Sequence, residues 1–328
     1  MARTVAILVA DGIADSGLAV ALDILRAANA ICARQGKLPV FDPYVASPKG
    51  GRVRAASGLT IDGTKPAIRA AGAHFVLVPG LWVETPADLD RVLARDDLEP
   101  NLRAIARAHA RGAVIGSSCS GAFQLAKTGI LDGRRATTTW WLAGELRRRF
   151  TAIDVIEGEA LIVDDRIITA GAVFAVADLA LNLVARWVGP GVARETARVL
   201  LLDRHASQAS YMALRFTATD DPIVRKAETW ARAHLDEAFD MGTLARKAGA
   251  SQRTLARRLE EAVGTSPIGF VQRLRVETAI HLLETSRLSI DEISARVGYA
   301  DAETLRRLVR RETGLAPREI RRRITAGP

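Results

Sequence analysis

The arginines of the C-terminal third recur at helical spacing in two short segments. Gln252, Arg253 and Arg257 share one helix-like segment, and Glu303, Arg306, Arg307 and Arg310 share another. A guanidinium presents its donors as a planar fork that fits guanine O6 and N7 in the major groove, or two phosphate oxygens. In each segment the opposite face is apolar: Leu255 and Leu259 in the first, Leu305 and Leu308 in the second. A glycine precedes each segment, Gly249 or Gly298, and can take the left-handed backbone position that a residue with a Cβ resists. The pattern predicts two helix-turn-helix units, 244–264 and 293–314. In each, one face of the second helix packs on its domain and the other enters a groove.

Such helices need a frame. Thr265-Ser266-Pro267 starts a long helix, 268–284, between the two units, and Ser289 with Glu292 forms a capping box opening the second. Asp221-Pro222 has the form of a cap followed by proline at the first helical position. A stiff connecting helix fixes the separation of the two reading helices, as binding in two successive grooves requires. The chain carries a formal charge of +9. Residues 226–328 hold 19 Lys and Arg against 14 Asp and Glu, and 306–323 hold eight Arg against two Glu. Arg321, Arg322 and Arg323 suit phosphate contacts or solvent.

The preceding part of the chain reads differently. Its 188 or so residues alternate short apolar runs (5–9, 40–46, 74–78, 113–116) with helical patterns (19–33, 87–110, 121–129). Non-alternating runs separated by helices indicate a doubly wound, flavodoxin-like parallel sheet of the α/β class, here followed by an all-α domain. Residues 161–169 read as a hairpin turning at Asp164-Asp165, and 174–188 as an apolar helix ended by Gly189-Pro190-Gly191. The expected division is 1–190, a linker at 191–221, and 222–328. The two cysteines, Cys32 and Cys119, suggest no disulfide framework, and the five scattered histidines give no metal-ligand spacing. No apolar run reaches about 20 residues and no basic leader precedes the first strand, so the expectation is a cytoplasmic, nucleoid-associated protein with no membrane span and no cofactor.

The C-terminal domain resembles the AraC/XylS family of transcription regulators. The match runs through Leu244-Ala245, Gly249 and Thr254-Leu255-Ala256-Arg257-Arg258, then Val297-Gly298-Tyr299 and Arg311 to Glu319. The N-terminal part resembles the ThiJ/PfpI, class I glutamine-amidotransferase-like superfamily. There Gly116-Ser-Ser-Cys119-Ser-Gly121 looks like a nucleophile elbow, and Val78-Pro79-Gly80 like the loop facing it. The pair in this order resembles the GlxA-like branch of AraC-type regulators. That resemblance implies an activator that binds operator DNA, works with RNA polymerase and forms a homodimer through its first domain.

The resemblance also implies a small-molecule effector, an amine or amino acid, in the elbow cleft, with Cys119, Ser120, Trp82, Phe123 and Trp140 as its candidate contacts. It argues against an enzyme. Ser120 and Thr139 stand where similar proteins carry histidine, and Gly17 stands where the superfamily places an acid. The alternative is a cysteine-dependent hydrolase or glyoxalase-like enzyme with a DNA-binding appendage.

Overall fold

Short aliphatic runs become the strands of one sheet, because residues buried on both faces need no polar alternation. The strands are β1 (Arg3–Leu8), β2 (Phe41–Ser47), β3 (Gly51–Arg54), β4 (Thr60–Pro66), β5 (Phe75–Val78), β6 (Val114–Ser118), β9 (Leu161–Asp164) and β10 (Ile167–Ala170). A separate pair, β7 (Arg135–Ala136) and β8 (Asp154–Val155), lies outside it. The computed structural model describes residues 2–202, 208, 221–263, 265–313 and 316–325. By contacts the chain divides into two units, Met1–Ala206 and Ser207–Pro328.

In the first unit the strand order is β3-β4-β2-β1-β5-β6-β10-β9. The six inner strands run parallel, and the edge strands β3 and β9 are antiparallel to their neighbours. Strand order reverses between β1 and β5, so the loops leaving their carboxyl ends part there and leave a crevice. On one face α1 (Asp15–Arg34), α6 (Val176–Trp187) and α7 (Pro190–Val199) cover Val5, Ile7, Phe75 and Leu77. On the other, α3 (Glu99–Ala110), α4 (Gly121–Lys127) and α5 (Trp140–Arg149) cover Ala6, Leu8, Val76 and Ile115. By length and apolarity alone α1 could cross a membrane, but Leu18, Ile24, Leu25 and Ile31 are buried against the sheet.

Two sequence expectations change. The pattern at 87–110 is not one helix but α2 (Pro86–Leu93), a 3-10 turn (Asp96–Leu98) and α3, because Pro100 has no N–H to donate to the preceding turn and its ring clashes with the carbonyl four residues back, so it is tolerated only in the first turn of α3. The segment 191–199, expected in the linker, is most of α7, and its Val192 and Ala193 join the first unit's core. The rest of the linker, apart from 200–202, 208 and 221, lies outside the described residues. The hairpin at 161–169 forms as β9 and β10, with Asp165 at φ 55° in the turn.

The second unit contains α8 (Pro222–Ala233), α9 (Met241–Lys247), α10 (Gln252–Val263), α11 (Pro267–Thr285), α12 (Ile290–Arg296), α13 (Ala302–Thr313) and α14 (Pro317–Thr325). The long helix α11 is shared by two small cores. Its Phe270, Val271 and Leu274 pack with Leu244, Leu255 and Leu259, while its Val276, Ile280 and Leu283 pack with Ile293, Leu305 and Val309. Beside it, Arg232 of α8 bridges Glu228 at 2.9 Å and Glu277 of α11 at 2.6 Å, and both carboxylates are buried. Buried carboxylates require such partners.

Candidate nucleic-acid interface and elbow cleft

Each reading helix is started by its own cap. Ser251 Oγ accepts from Thr254 N at 3.1 Å, and Asp301 Oδ1 accepts from Thr304 N at 2.7 Å. That bond holds the Asp301 carboxyl below its usual range, which keeps the cap charged. The expected capping box of α12 is complete, with Ser289 Oγ accepting from Glu292 N and Glu292 Oε2 accepting from Ser289 N.

Beyond the caps, Leu255 and Leu259 on α10 are fully buried, as are Leu305 and Val309 on α13. All seven proposed reading residues are exposed: Gln252, Arg253, Arg257, Glu303, Arg306, Arg307 and Arg310. Some are pre-engaged. Arg257 pairs with Glu261 at 2.9 Å, and Arg306 with Glu303 at 3.3 Å. Arg253, Arg307 and Arg310 make no ion pair among the described residues. Such surface pairs are weak, so phosphate or guanine can displace the carboxylate. Arg321, expected to face phosphate or solvent, donates to the Leu288 carbonyl and ties α14 to the segment just before α12. The side chains of Arg322 and Arg323 lie outside the described residues.

In the first unit the elbow takes shape where β6 turns into α4. Cys119 has φ 55°, and its N–H donates to the carbonyls of Ala170 and Gly171 at 3.1 and 2.7 Å. The turn is possible because small residues surround it. A Cβ on Gly121 would lie 2.2 Å from the Val78 carbonyl oxygen, and one on Gly80 would lie 2.9 Å from Cys119 Cβ. Thr138 Oγ1 donates to the Cys119 carbonyl at 2.8 Å and holds the elbow from behind.

This geometry would suit a nucleophile, but the electrostatics do not. Burial pushes the Cys119 thiol up to about 11, against the opposing hydrogen bond from the Ser120 N–H. A thiol titrating that high is protonated at neutral pH, and the thiolate is the nucleophile. No histidine or carboxylate hydrogen-bonds it among the described residues. Asp15, the acid nearest Gly17 in sequence, accepts from Ser57 Oγ at 2.5 Å. Gly17 itself faces Pro79, whose Cβ would lie 3.0 Å from a Cβ there.

The candidate ligand contacts divide. Trp82 is 56% exposed, with its Nε1 donating to Glu84 Oε1 at 2.8 Å. Trp140 is half-buried and meets exposed Trp141 edge-on at 5.4 Å. Ser120 is buried, with its hydroxyl donating to the Leu81 carbonyl at 2.6 Å, so it holds the facing loop. Phe123 is 1% exposed and packs on Phe150, so it is a core residue rather than a ligand contact. Sequence reading missed Phe174, 61% exposed just past the carboxyl end of β10. Its position inside an apolar helical run disguised it. The hydroxyls of Ser117, Ser118 and Thr139 are buried and have no hydrogen-bond partner among the described residues.

The comparisons with known proteins agree with this two-part architecture. The DJ-1/PfpI family model matches residues 3–186, and the helix-turn-helix domain model matches residues 244–323. Among relatives, the chain is 28% identical to the HTH-type transcriptional regulator GlxA of Rhizobium meliloti (strain 1021), over 92% of this chain and 90% of that protein. It is 39% identical over 92 residues to the HTH-type transcriptional activator RhaS of Escherichia fergusonii, which covers 28% of this chain and 33% of that protein. A solved THiJ/PfpI family protein from Pseudomonas syringae aligns with a TM-score of 0.50 at 22% identity, over 62% of this chain and 76% of that one. The fold and elbow therefore define a DJ-1/PfpI domain, and the chain belongs to that family. More particularly, it joins this domain to an AraC-type helix-turn-helix domain, the arrangement of DNA-binding transcriptional regulators such as GlxA.

Proposed function

We propose that this protein is a sequence-specific transcription activator. Its two reading helices contact successive major grooves, and its DJ-1/PfpI domain serves as a non-catalytic sensor. The observation that carries the reading is the division of labour on α10 and α13. Fully buried leucines fix one face of each, while Gln252, Arg253 and Arg257, and Glu303, Arg306, Arg307 and Arg310, are left exposed on the other. The likeness to a named activator over the same domain supports activation, through contact with RNA polymerase.

The effector in this reading is a small amine or amino acid. Exposed Trp82 beside the Glu84 carboxylate, exposed Phe174 and the Trp140–Trp141 pair offer π-faces and a negative charge at the carboxyl edge of the sheet. Cations bind such faces with about 0.5–2 kcal/mol each. The chain works as a homodimer assembled through residues 1–190, because linking two DNA-binding domains makes the second contact effectively intramolecular. The effector changes DNA binding by favouring one arrangement of the dimer.

Selection of a binding site from random duplex DNA tests this reading. We expect one enriched sequence with two half-sites, light scattering of the full chain at twice the chain mass, and no amidase, peptidase or glyoxalase turnover. Recovery of unenriched DNA, or turnover that vanishes in Cys119→Ala, would refute it.

A further inference from the structure

The end of the sheet opposite the elbow carries a second cleft, of 580 Å³, that the regulator reading does not use. It lies where the central parallel strands begin. Arg3 opens β1, His74 precedes β5, Val114 opens β6, Arg166 precedes β10, and Arg186 and Trp187 end α6. Arg111, at the end of α3, completes the ring of four guanidinium groups, and no Asp or Glu is among the lining residues.

The charges are only slightly compensated. Arg166 lies 3.6 Å from the Asp165 carboxylate, and Arg186 donates to the Asp165 carbonyl. Arg3 is held over the Trp187 ring at 4.7 Å, which fixes its plane without neutralising it. Arg111 makes no ion pair among the described residues. The sum is four positive charges against one negative. The same field is felt nearby, where burial first, then the charges of Arg166 and Arg134, keep the His109 imidazole below its usual value.

His74 adds a hydrogen-bond donor. The Thr4 N–H donates to His74 Nδ1 at 3.1 Å, which leaves Nε2 as the ring's donor. A concave site of this size takes a small molecule. A planar fork recognises two oxygens of one phosphate or carboxylate group at once.

We infer that the amino-terminal edge of the DJ-1/PfpI sheet is a second ligand site, for a small molecule carrying several negative charges on phosphate or clustered carboxylate groups. Arg3, Arg111, Arg166 and Arg186 bind the anionic groups, and His74 Nε2 supplies a further hydrogen bond. The site is separate from the elbow cleft, which lies at the carboxyl ends of the same strands. It stands whether or not the elbow binds an amine.

Calorimetric titration of the full chain at low ionic strength tests the inference, with pyrophosphate as the phosphate probe and citrate as the carboxylate probe. We expect one saturable site per chain for at least one of them, and the tighter probe identifies the anionic group. The double variant Arg111→Gln/Arg186→Gln should lose on the order of tenfold or more in affinity, since hydrogen bonds to charged groups are among the stronger ones. Arg26→Gln, on the exposed side of α1, should bind as wild type. Thermal melting that leaves the double variant folded separates loss of the site from loss of the fold. Should melting show it unfolded, Arg111→Gln alone, an exposed side chain with no ion pair, is expected to weaken the anion several-fold. No saturable uptake of either anion, or equal uptake by the folded variant, would overturn the inference. So would a variant that loses duplex DNA affinity while the small anions never bind, because the arginines would then serve the DNA backbone.

Discussion

The two inter-helix turns of the DNA-binding unit look alike in sequence and differ in their surroundings. Gly249 and Gly298 sit at φ 75° and 78°. A Cβ on Gly249 would meet nothing within 4 Å, whereas one on Gly298 would lie 2.0 Å from the Leu235 carbonyl oxygen and 2.7 Å from the Arg275 guanidinium. The first glycine is required for backbone angle alone. The second is required for angle and for space, because its turn is pressed against Leu235, which belongs to the core around the first helix-turn-helix. The second turn therefore also holds the two helix-turn-helix halves of this domain together, and with them the spacing of α10 and α13.

The largest effect should come from contrasting those glycines. Gly249→Ala places an L-residue in the left-handed region and should cost about 1–2 kcal/mol. Gly298→Ala adds a clash with fixed backbone and should cost more than about 3 kcal/mol, among the more severe single substitutions. Urea denaturation followed by the helical signal measures both, and equal losses would erase the distinction between the turns.

A smaller effect concerns the brace between α8 and α11. Burial pushes the Glu277 carboxyl up to about 7 from an ordinary 4.5, despite the opposing Arg232 charge. A carboxyl whose folded value lies above its unfolded one binds a proton on folding between those values. Its contribution to stability is therefore full below about pH 4.5 and declines as pH rises to about 7. We expect this group to remove on the order of 2 kcal/mol across that window. Glu277→Gln should flatten the slope in stability measured at several pH values. An unchanged slope would mean that the Arg232 pair keeps Glu277 charged throughout.

The smallest effect distinguishes the two reading faces by charge. Among the described residues Arg307 and Arg310 make no ion pair like that of Arg257 with Glu261. Replacing either with Ala should lower the salt dependence of DNA binding by about one ion, and Arg257→Ala should lower it by less. Salt titrations of affinity that give all three the same slope would remove the difference.

What could be read from sequence follows from how local each cause is. The buried stripe of Leu305 and Leu308, the Ser289 capping box and the Asp221 cap with Pro222 depend on residues within one helical turn, and all are found. The break at Asp96–Leu98 was missed because apolar spacing continues across it while Pro100 acts on only one position. The β3–β4 hairpin was missed because its strands are polar and β3 lies at the sheet edge. At the elbow, Gly80, Gly121 and Cys119 were legible as a motif. The roles of Ser120 and Phe123 were not, because the Leu81 carbonyl and Phe150 that occupy them lie far off in sequence. The Arg232–Glu277 brace spans 45 positions and has no local signature.

In the proposed function the paired arginine faces read DNA and the elbow cysteine serves no chemistry. Affinity for the selected operator, measured by gel-shift titration of Arg253→Ala, Arg306→Ala and Cys119→Ala, tests it most directly. Both arginine substitutions are on exposed positions, so the fold should persist. Each should lose about 1–3 kcal/mol, roughly 5- to 150-fold, and relax the choice of one base pair. Cys119→Ala should bind as wild type does. Arginine variants that match wild type, or a cysteine variant that loses the operator, would contradict the account.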